Sequence, residues 1–363
     1  MKLDDPIIQN KVRLAKGIIK KCSTRHGFQA STDTYGGTYW VRDFSYSLYS
    51  LMKLGYKENI RIQLQEILNN QTKSGSIPTA IVKMFSKDFF YSLRSKIFSA
   101  SEYIIDLGLR NIFLRTGRNE WTSDNELVFA IALHQYVKRM GDFDFLKRNE
   151  KKVEKLKSYI HKTARGFIRG ADWRDAMDIY NDKACFSNQI LLAKTYESLC
   201  EYEKVDELKR MINNCFWKKE LGHYQDFLGS DRFDSLGHAL ALLWGIIPRN
   251  KIKSVLNSFD ITSTKFGFKN VSPPYEMEFC NQPYHFYQNS TIWPFVQGYV
   301  ILALIKVNKR RYAREEFIKL SNLNGLFEWY DPISGRPKGS KEQLWSAALY
   351  LHTYYEFLKR GRF

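Results

Sequence analysis

Residues 281–294 read Asn281-Gln282-Pro283-Tyr284-His285-Phe286-Tyr287-Gln288-Asn289-Ser290-Thr291-Ile292-Trp293-Pro294, a run of amides, phenols, an imidazole and an indole. This run opens directly into a strongly apolar stretch whose helical periodicity covers 291–308. A short turn follows near 309, and a second helical pattern covers 311–320. Residues 324–341 are again long, aromatic and glycine-containing, and they lead into a helix over 342–359. The order is therefore long loop, helix, short turn, helix, long loop, helix.

The same alternation runs back through the chain. Helical periodicity is expected over 7–22, 44–54, 60–70, 126–140, 145–165, 187–199, 202–216, 236–247 and 251–259, with further helical material between 88 and 115. Long connections rich in Gly, Asp, Asn and aromatics fall at 26–42, 74–87, 117–125, 170–186, 222–235 and 265–290. Those near 55–59, 141–144 and 248–250 are short. Helical hairpins closed into a ring produce this pattern, with short turns at one end and long loops gathered at the other. The expected fold is all-α, an (α/α)6 toroid of about six hairpins with its active-site loops at one end. No Pro/Gly/Ser-rich linker divides residues 1–363, so one domain is expected. An irregular basic and aromatic segment at about 82–116 stands apart, most simply as a helix with its apolar side on the core.

Composition narrows the function. The 363 residues carry 56 Lys and Arg against 38 Asp and Glu, a net charge of +18. The cations recur in short clusters on the polar faces of many helices, which argues against a nucleic-acid surface. Five cysteines (22, 185, 200, 215 and 280) show no paired spacing, and the 7 His are scattered, so neither a disulfide framework nor a metal site is expected. No cofactor motif is present: there is no Gly-x-Gly-x-x-Gly, Walker loop, Gly-x-Ser-x-Gly or His-Glu-x-x-His. No apolar run approaches a membrane span, and the N-terminus lacks the apolar core of a signal peptide. A cytoplasmic protein without stable membrane association is expected. Aromatics make up 15% of the chain, and many lie in the loops beside carboxylates and amides. Flat apolar faces next to polar groups suit a sugar ring, so a carbohydrate is the expected partner.

Candidate site residues follow from those loops. Trp40-Val41-Arg42-Asp43 sets a stacking face, a donor fork and an acceptor together, although an Arg–Asp pair could equally cap the helix. Trp121-Thr122-Ser123-Asp124 precedes a helix that Ser123 or Asp124 could cap. Asp172-Trp173-Arg174-Asp175 holds two acids around a Trp, and Asp178 follows. A carboxyl held against the indole and near another carboxylate has the raised pKa of a general acid. In 281–294 the amides form a wall suited to reading hydroxyls, with Ser290 as an alternative helix cap. Glu328 lies among Phe327, Trp329 and Tyr330, a costly place for a carboxylate without a task.

Taken in order, these motifs resemble the (α/α)6-barrel glycoside hydrolases, a group that includes amylo-α-1,6-glucosidases, processing α-glucosidases and alkaline/neutral invertases. Trp40-Val41-Arg42-Asp43-Phe44 is similar to their Trp-x-Arg-Asp motif. Asp172-Trp173-Arg174-Asp175-Ala176 resembles the debranching Thr-Trp-Met-Asp-Ala, which places the family's acid on Asp175. Tyr287 to Pro294 looks like Tyr-His-Asn-Gly-Ser-Ile-Trp-Pro, with Gln288 in place of His and Ser290 in place of Gly. Phe327-Glu328-Trp329-Tyr330-Asp331-Pro332, with Trp345-Ser346-Ala347-Ala348, places the family's base on Glu328. The resemblance implies an inverting hydrolase of an α-linked glucoside or related α-glycoside, such as an oligosaccharide. Asp175 and Glu328 would be catalytic, and Trp40, Arg42, Asp43, Asp124, Asp172, Trp173, Gln288, Asn289, Trp293 and Trp345 would bind the sugar. The other readings kept open are a sugar epimerase or polysaccharide lyase using His238, His285 or a Tyr as base, and a non-catalytic glycan-binding protein.

Overall fold

A computed structural model describes residues 3–83, 114–117 and 121–359. Among the described residues six helices form a closed inner ring: Val41–Lys53, Asn125–Met140, Phe186–Ser198, Ser235–Leu243, Pro294–Lys306 and Leu344–Lys359, each packed on the next and the last on the first. Their sequences explain the placement. Pro294–Lys306 buries every residue but its final lysine, which is what a helix enclosed on all sides requires. Outer helices carry a single apolar stripe; Glu150–Thr163 buries only Leu156 and Ile160. Six such outer helices pair with the ring: Pro6–Cys22, Lys57–Asn69, Glu150–Thr163, Tyr202–Cys215, Arg249–Ser258 and Arg310–Asn322.

The first five inner helices each lead to an outer partner through a short connection, and the sixth, Leu344–Lys359, packs on Pro6–Cys22 from the start of the chain. Every long connection enters an inner helix at its N-terminus. The long connections are laced to one another around one end of the ring. Trp40 pairs with Ala80, Thr122 with Ala171, Cys185 with Phe227, Asp234 with Val271, Ile292 with Tyr330 and Gln343 with Ser31, which closes the circle. The alternation of loop lengths in the sequence therefore corresponds to the two ends of a six-hairpin (α/α)6 toroid.

Two expectations need correction. The helix expected over 145–165 is two helices, Phe143–Arg148 and Glu150–Thr163. At the break, Asn149 Nδ2 donates to the Phe145 carbonyl at 3.0 Å and to Gln65 Oε1 at 3.0 Å, so its side chain competes with the helix ladder. The segment at 82–116 lies largely outside the described residues. Its two ends, within Ala80–Lys83 and Leu114–Gly117, pair with each other as antiparallel strands rather than helix, and Ala80–Lys83 also pairs with Thr38–Trp40.

Candidate active site

The laced loops bring Arg42, Asp124 and Asp175 into direct contact. Asp124 sits at the N-cap of Asn125–Met140 but makes no capping bond. Its carboxylate instead takes both arms of the Arg42 fork, from Nε at 2.8 Å and Nη2 at 2.9 Å. A bidentate pair of this kind fixes the guanidinium plane. Burial pushes Asp124 up to about 6, with the Arg42 charge opposing it. The remaining arm, Nη1, donates to Asp175 Oδ2 at 2.8 Å. Asp175 is thus held by a cation, where the sequence reading expected the Trp173 indole to set its state. It keeps 17% of its side-chain surface exposed, while Asp124 keeps none.

Glu328, from the 324–341 loop, is 4% exposed and fully engaged. Oε1 accepts from Tyr35 Oη at 3.0 Å and from Tyr287 Oη at 3.2 Å, and Oε2 accepts the Ser340 N–H at 3.0 Å. Burial raises its pKa, and these three donors pull against that rise. Burial and the Glu328 charge push both phenols upward, so they stay protonated as donors. Gly339 makes the close approach possible. A Cβ there would stand 2.3 Å from Oε2, and its φ of +68° lies in the left-handed region. Ser340 is itself fixed by Asp33, which accepts its hydroxyl at 2.6 Å.

Asp43 joins the two halves. It follows Arg42 in the chain, accepts from Gln343 Nε2 at 2.6 Å, and is pushed up to about 8 by burial and then by the charge of Glu328. Tyr287 gives a second link, since its phenol bonds Glu328 and also feels the charge of Asp175. Asp175 and Glu328 therefore both bear on Tyr287, one through its charge and the other through a hydrogen bond, although 153 positions separate them.

Other expected sugar ligands stand behind this surface. Asp172 is 1% exposed and turned to Arg174, whose Nε lies 3.0 Å from Oδ1 and Nη2 2.6 Å from Oδ2, with the Ser187 hydroxyl also on Oδ2. Burial works against its charge, and Arg174 outweighs burial to hold it below the usual carboxylate range. Arg174 also faces Asp226 at 3.7 Å and Asp234 at 3.5 Å and stacks over Tyr180, a sealed cluster that sequence reading missed because its members come from different loops. Gln288 accepts the Ala176 N–H at 2.9 Å and donates to the Trp173 carbonyl at 2.8 Å, so it clamps the acid-bearing loop instead of reading hydroxyls. Asn289 accepts from the Tyr275 N–H at 2.9 Å and donates to the Tyr275 and Gln282 carbonyls.

Ser290 does not cap the helix, which begins at Pro294; its φ of 66° is the left-handed geometry that glycine adopts without strain. Trp173, Trp293 and Trp345 are buried in one cluster with Phe295, their ring centroids 4.0–5.0 Å from it or from one another at the tightest contacts. They form a floor, not a set of open stacking faces. The Nε1–H groups of Trp40, Trp173 and Trp345 are nevertheless buried without a partner among the described residues. Tyr35, Tyr287, Gln343, Ser340 and Gly339 were not singled out in the sequence, although each lies within or beside a stretch that was.

Of the alternative bases, His238 is poorly placed. It is fully buried, stacked on Phe233 at 3.9 Å, and its Nε2 accepts the Tyr224 N–H at 3.1 Å. Burial, followed by the neighbouring His223, holds its pKa well below the usual value. His285 faces the Ser290 carbonyl at 3.2 Å. Among the described residues no group of His, Cys, Asp and Glu could hold a metal ion, and no helix is long and apolar enough to cross a membrane.

With fold and site described, comparison with solved structures shows a likeness of fold to several glycosidases. The chain is similar over almost its whole length to GH63 mannosylglycerate hydrolase from Thermus thermophilus. The complex of that protein with Tris and D-glycerate aligns at TM-score 0.69 and 12% identity, covering 95% of this chain and 100% of that one. Its complex with glucose aligns at TM-score 0.69 and 14% identity, covering 94% and 98%. A glycosidase variant in complex with glucose aligns at TM-score 0.71 and 11% identity, covering 97% of both chains. At these identities the likeness is one of fold. No protein-family model and no curated protein sequence matches the chain.

Proposed function

We propose that this protein is an inverting glycoside hydrolase acting on an α-linked glucoside or related α-glycoside. The observation that carries the reading is that Asp175 and Glu328, from distant loops, both act on Tyr287, which bonds Glu328, while Arg42 bonds Asp175. Asp175 hands a proton to the glycosidic oxygen as the bond to the anomeric carbon breaks. Glu328 takes a proton from a water that attacks the same carbon from the opposite face. Arg42 fixes where the acid stands, and the two phenols with the Ser340 N–H fix the base. A carboxylate whose pKa is raised by burial is a stronger base once ionised, provided the donors keep it ionised at working pH. Asp43 and the unpaired indole N–H groups supply further polar contacts for the sugar, while Asp124, enclosed and bound to Arg42, acts only by holding that guanidinium. The likeness of fold to glycosidases supports the class of reaction; the sugar follows the resemblance described above.

The test is a panel of α-linked disaccharides and oligosaccharides incubated with the purified protein, with released reducing sugar followed by NMR. Hydrolysis of at least one α-glucoside, lost in Glu328→Gln, is the expected result. Turnover that persists in Glu328→Gln, or the absence of any hydrolysis across the panel, overturns it.

A further inference from the structure

Toward the opposite end of the toroid, residues of all six inner helices surround a cavity of about 340 Å³. Its lining includes the rings of Tyr46, Tyr49, Tyr299, Trp244 and His352, with Tyr49 stacked on one face of His352 at 3.7 Å. Tyr46 packs on Phe295 at 5.7 Å and on Tyr299 at 5.6 Å. Three cations, Arg139, Lys194 and Lys306, line the cavity with one carboxylate, Glu356. Lys194 is paired with Glu197 at 2.9 Å, and Glu356 with Lys359 from outside the lining. Arg139 and Lys306, both lining the cavity, form no ion pair among the described residues. Ser45 adds a buried hydroxyl that has no partner.

Cations in a last turn also answer the carbonyl end of their own helix, an effect that fades within that turn and is screened where exposed. That explains single lysines. It does not explain the convergence of cations from different helices on a cavity with an unspent hydroxyl and ring-lined walls. Burial, with Lys359 and Arg139 adding to it, holds the His352 imidazole down to about 3, so it stays neutral and adds no charge.

We propose that this cavity is a second binding site, for a small organic anion whose phosphate or carboxylate is held by Arg139 and Lys306. The body of the ligand lies along Tyr46 and His352, with Ser45 Oγ able to donate to it. The volume falls at the small end of ligand pockets, which limits the occupant to roughly the size of a monosaccharide derivative. This inference does not depend on the proposed hydrolysis.

Glucose 6-phosphate, gluconate and glucose share one polyol body and differ in head group, so they separate the phosphate and carboxylate sources from the body alone. Each is titrated into the intact protein while the ring-proton NMR signals of His352, assigned with His352→Gln, are followed. At least one anion should move those signals, with an affinity about tenfold or more above that of glucose. Arg139→Gln with Lys306→Gln should remove that preference while leaving the fold and any glycosidase activity unchanged. Signals that no anion moves at millimolar concentration overturn the proposal. So does a double variant that keeps the preference, or glucose binding as tightly as the anions.

Discussion

The two ends of the toroid are built from the same six inner helices and differ in charge. At the long-loop end stand Asp43 in a first turn and Asp124 and Asp234 at N-caps; at the short-turn end stand Lys53, Lys138, Arg139, Lys306 and Lys359 in last turns. Because every inner helix starts at the laced loops, the six helix dipoles run the same way. Their positive ends gather beneath the carboxylates and their carbonyl ends beneath the lysines. One topological rule, a long loop before each inner helix and a short turn wherever an outer helix follows, thus sets where these aspartates and lysines stand relative to the dipoles. It also separates the tasks: long loops can bring distant carboxylates together, which short turns cannot.

If the comparison is right, substitutions at the two ends have different consequences. The largest effect is expected for Glu328→Gln, which keeps the shape and removes the base: kcat should fall by about a factor of 10²–10⁴ with little change in KM. The paired control is Arg139→Gln at the other end, for which steady-state kinetics should show no change. Next comes the support behind the acid. Asp172→Ala leaves Arg174 buried beside a lost partner and should cost about 3–5 kcal/mol in urea unfolding. A loss within the range of an exposed pair would show that Asp172 is not the structural clamp its bonds describe.

Gly339→Ala should be smaller in stability, about 1–2 kcal/mol for the left-handed backbone, yet it should lower kcat, because its Cβ would displace the Glu328 carboxylate. The last effect is one of pH. Asp43 moves from the ordinary aspartate value of 3.8 to about 8 on folding, so the folded state holds a proton there that the unfolded chain has lost. Its contribution is fully present below the unfolded value and declines as pH rises toward about 8. Asp43→Asn should flatten that decline, and thermal unfolding across the same pH range checks it.

The fold was legible because loop length survives in the sequence: 265–290 and 324–341 are long, whereas the turn near 309 is short. The polar residues of the site were legible as types but not as partners. Asp172 and Asp175 are alike in the sequence, three positions apart, and only their partners separate them. Asp172 meets Arg174 in its own loop and is sealed, while Asp175 meets Arg42 from another hairpin and keeps some exposure. Gln288 and Asn289 had the composition of a sugar-reading wall, yet the Gln288 amide is spent on the backbone of the 170–186 loop and the Asn289 amide on the backbone of its own loop at Tyr275 and Gln282. Glu328 stood out because a carboxylate among aromatics is costly. The phenols that hold it, Tyr35 and Tyr287, lie in other loops and looked like ordinary aromatics.

The central claim is that Asp175 and Glu328 act as acid and base on opposite faces of an α-linked sugar. Time-resolved NMR of the anomeric protons during hydrolysis tests it most directly, because direct displacement fixes the configuration of the first product. The β-anomer should appear first and the α-anomer only later, by mutarotation. An α-anomer released first would contradict the account.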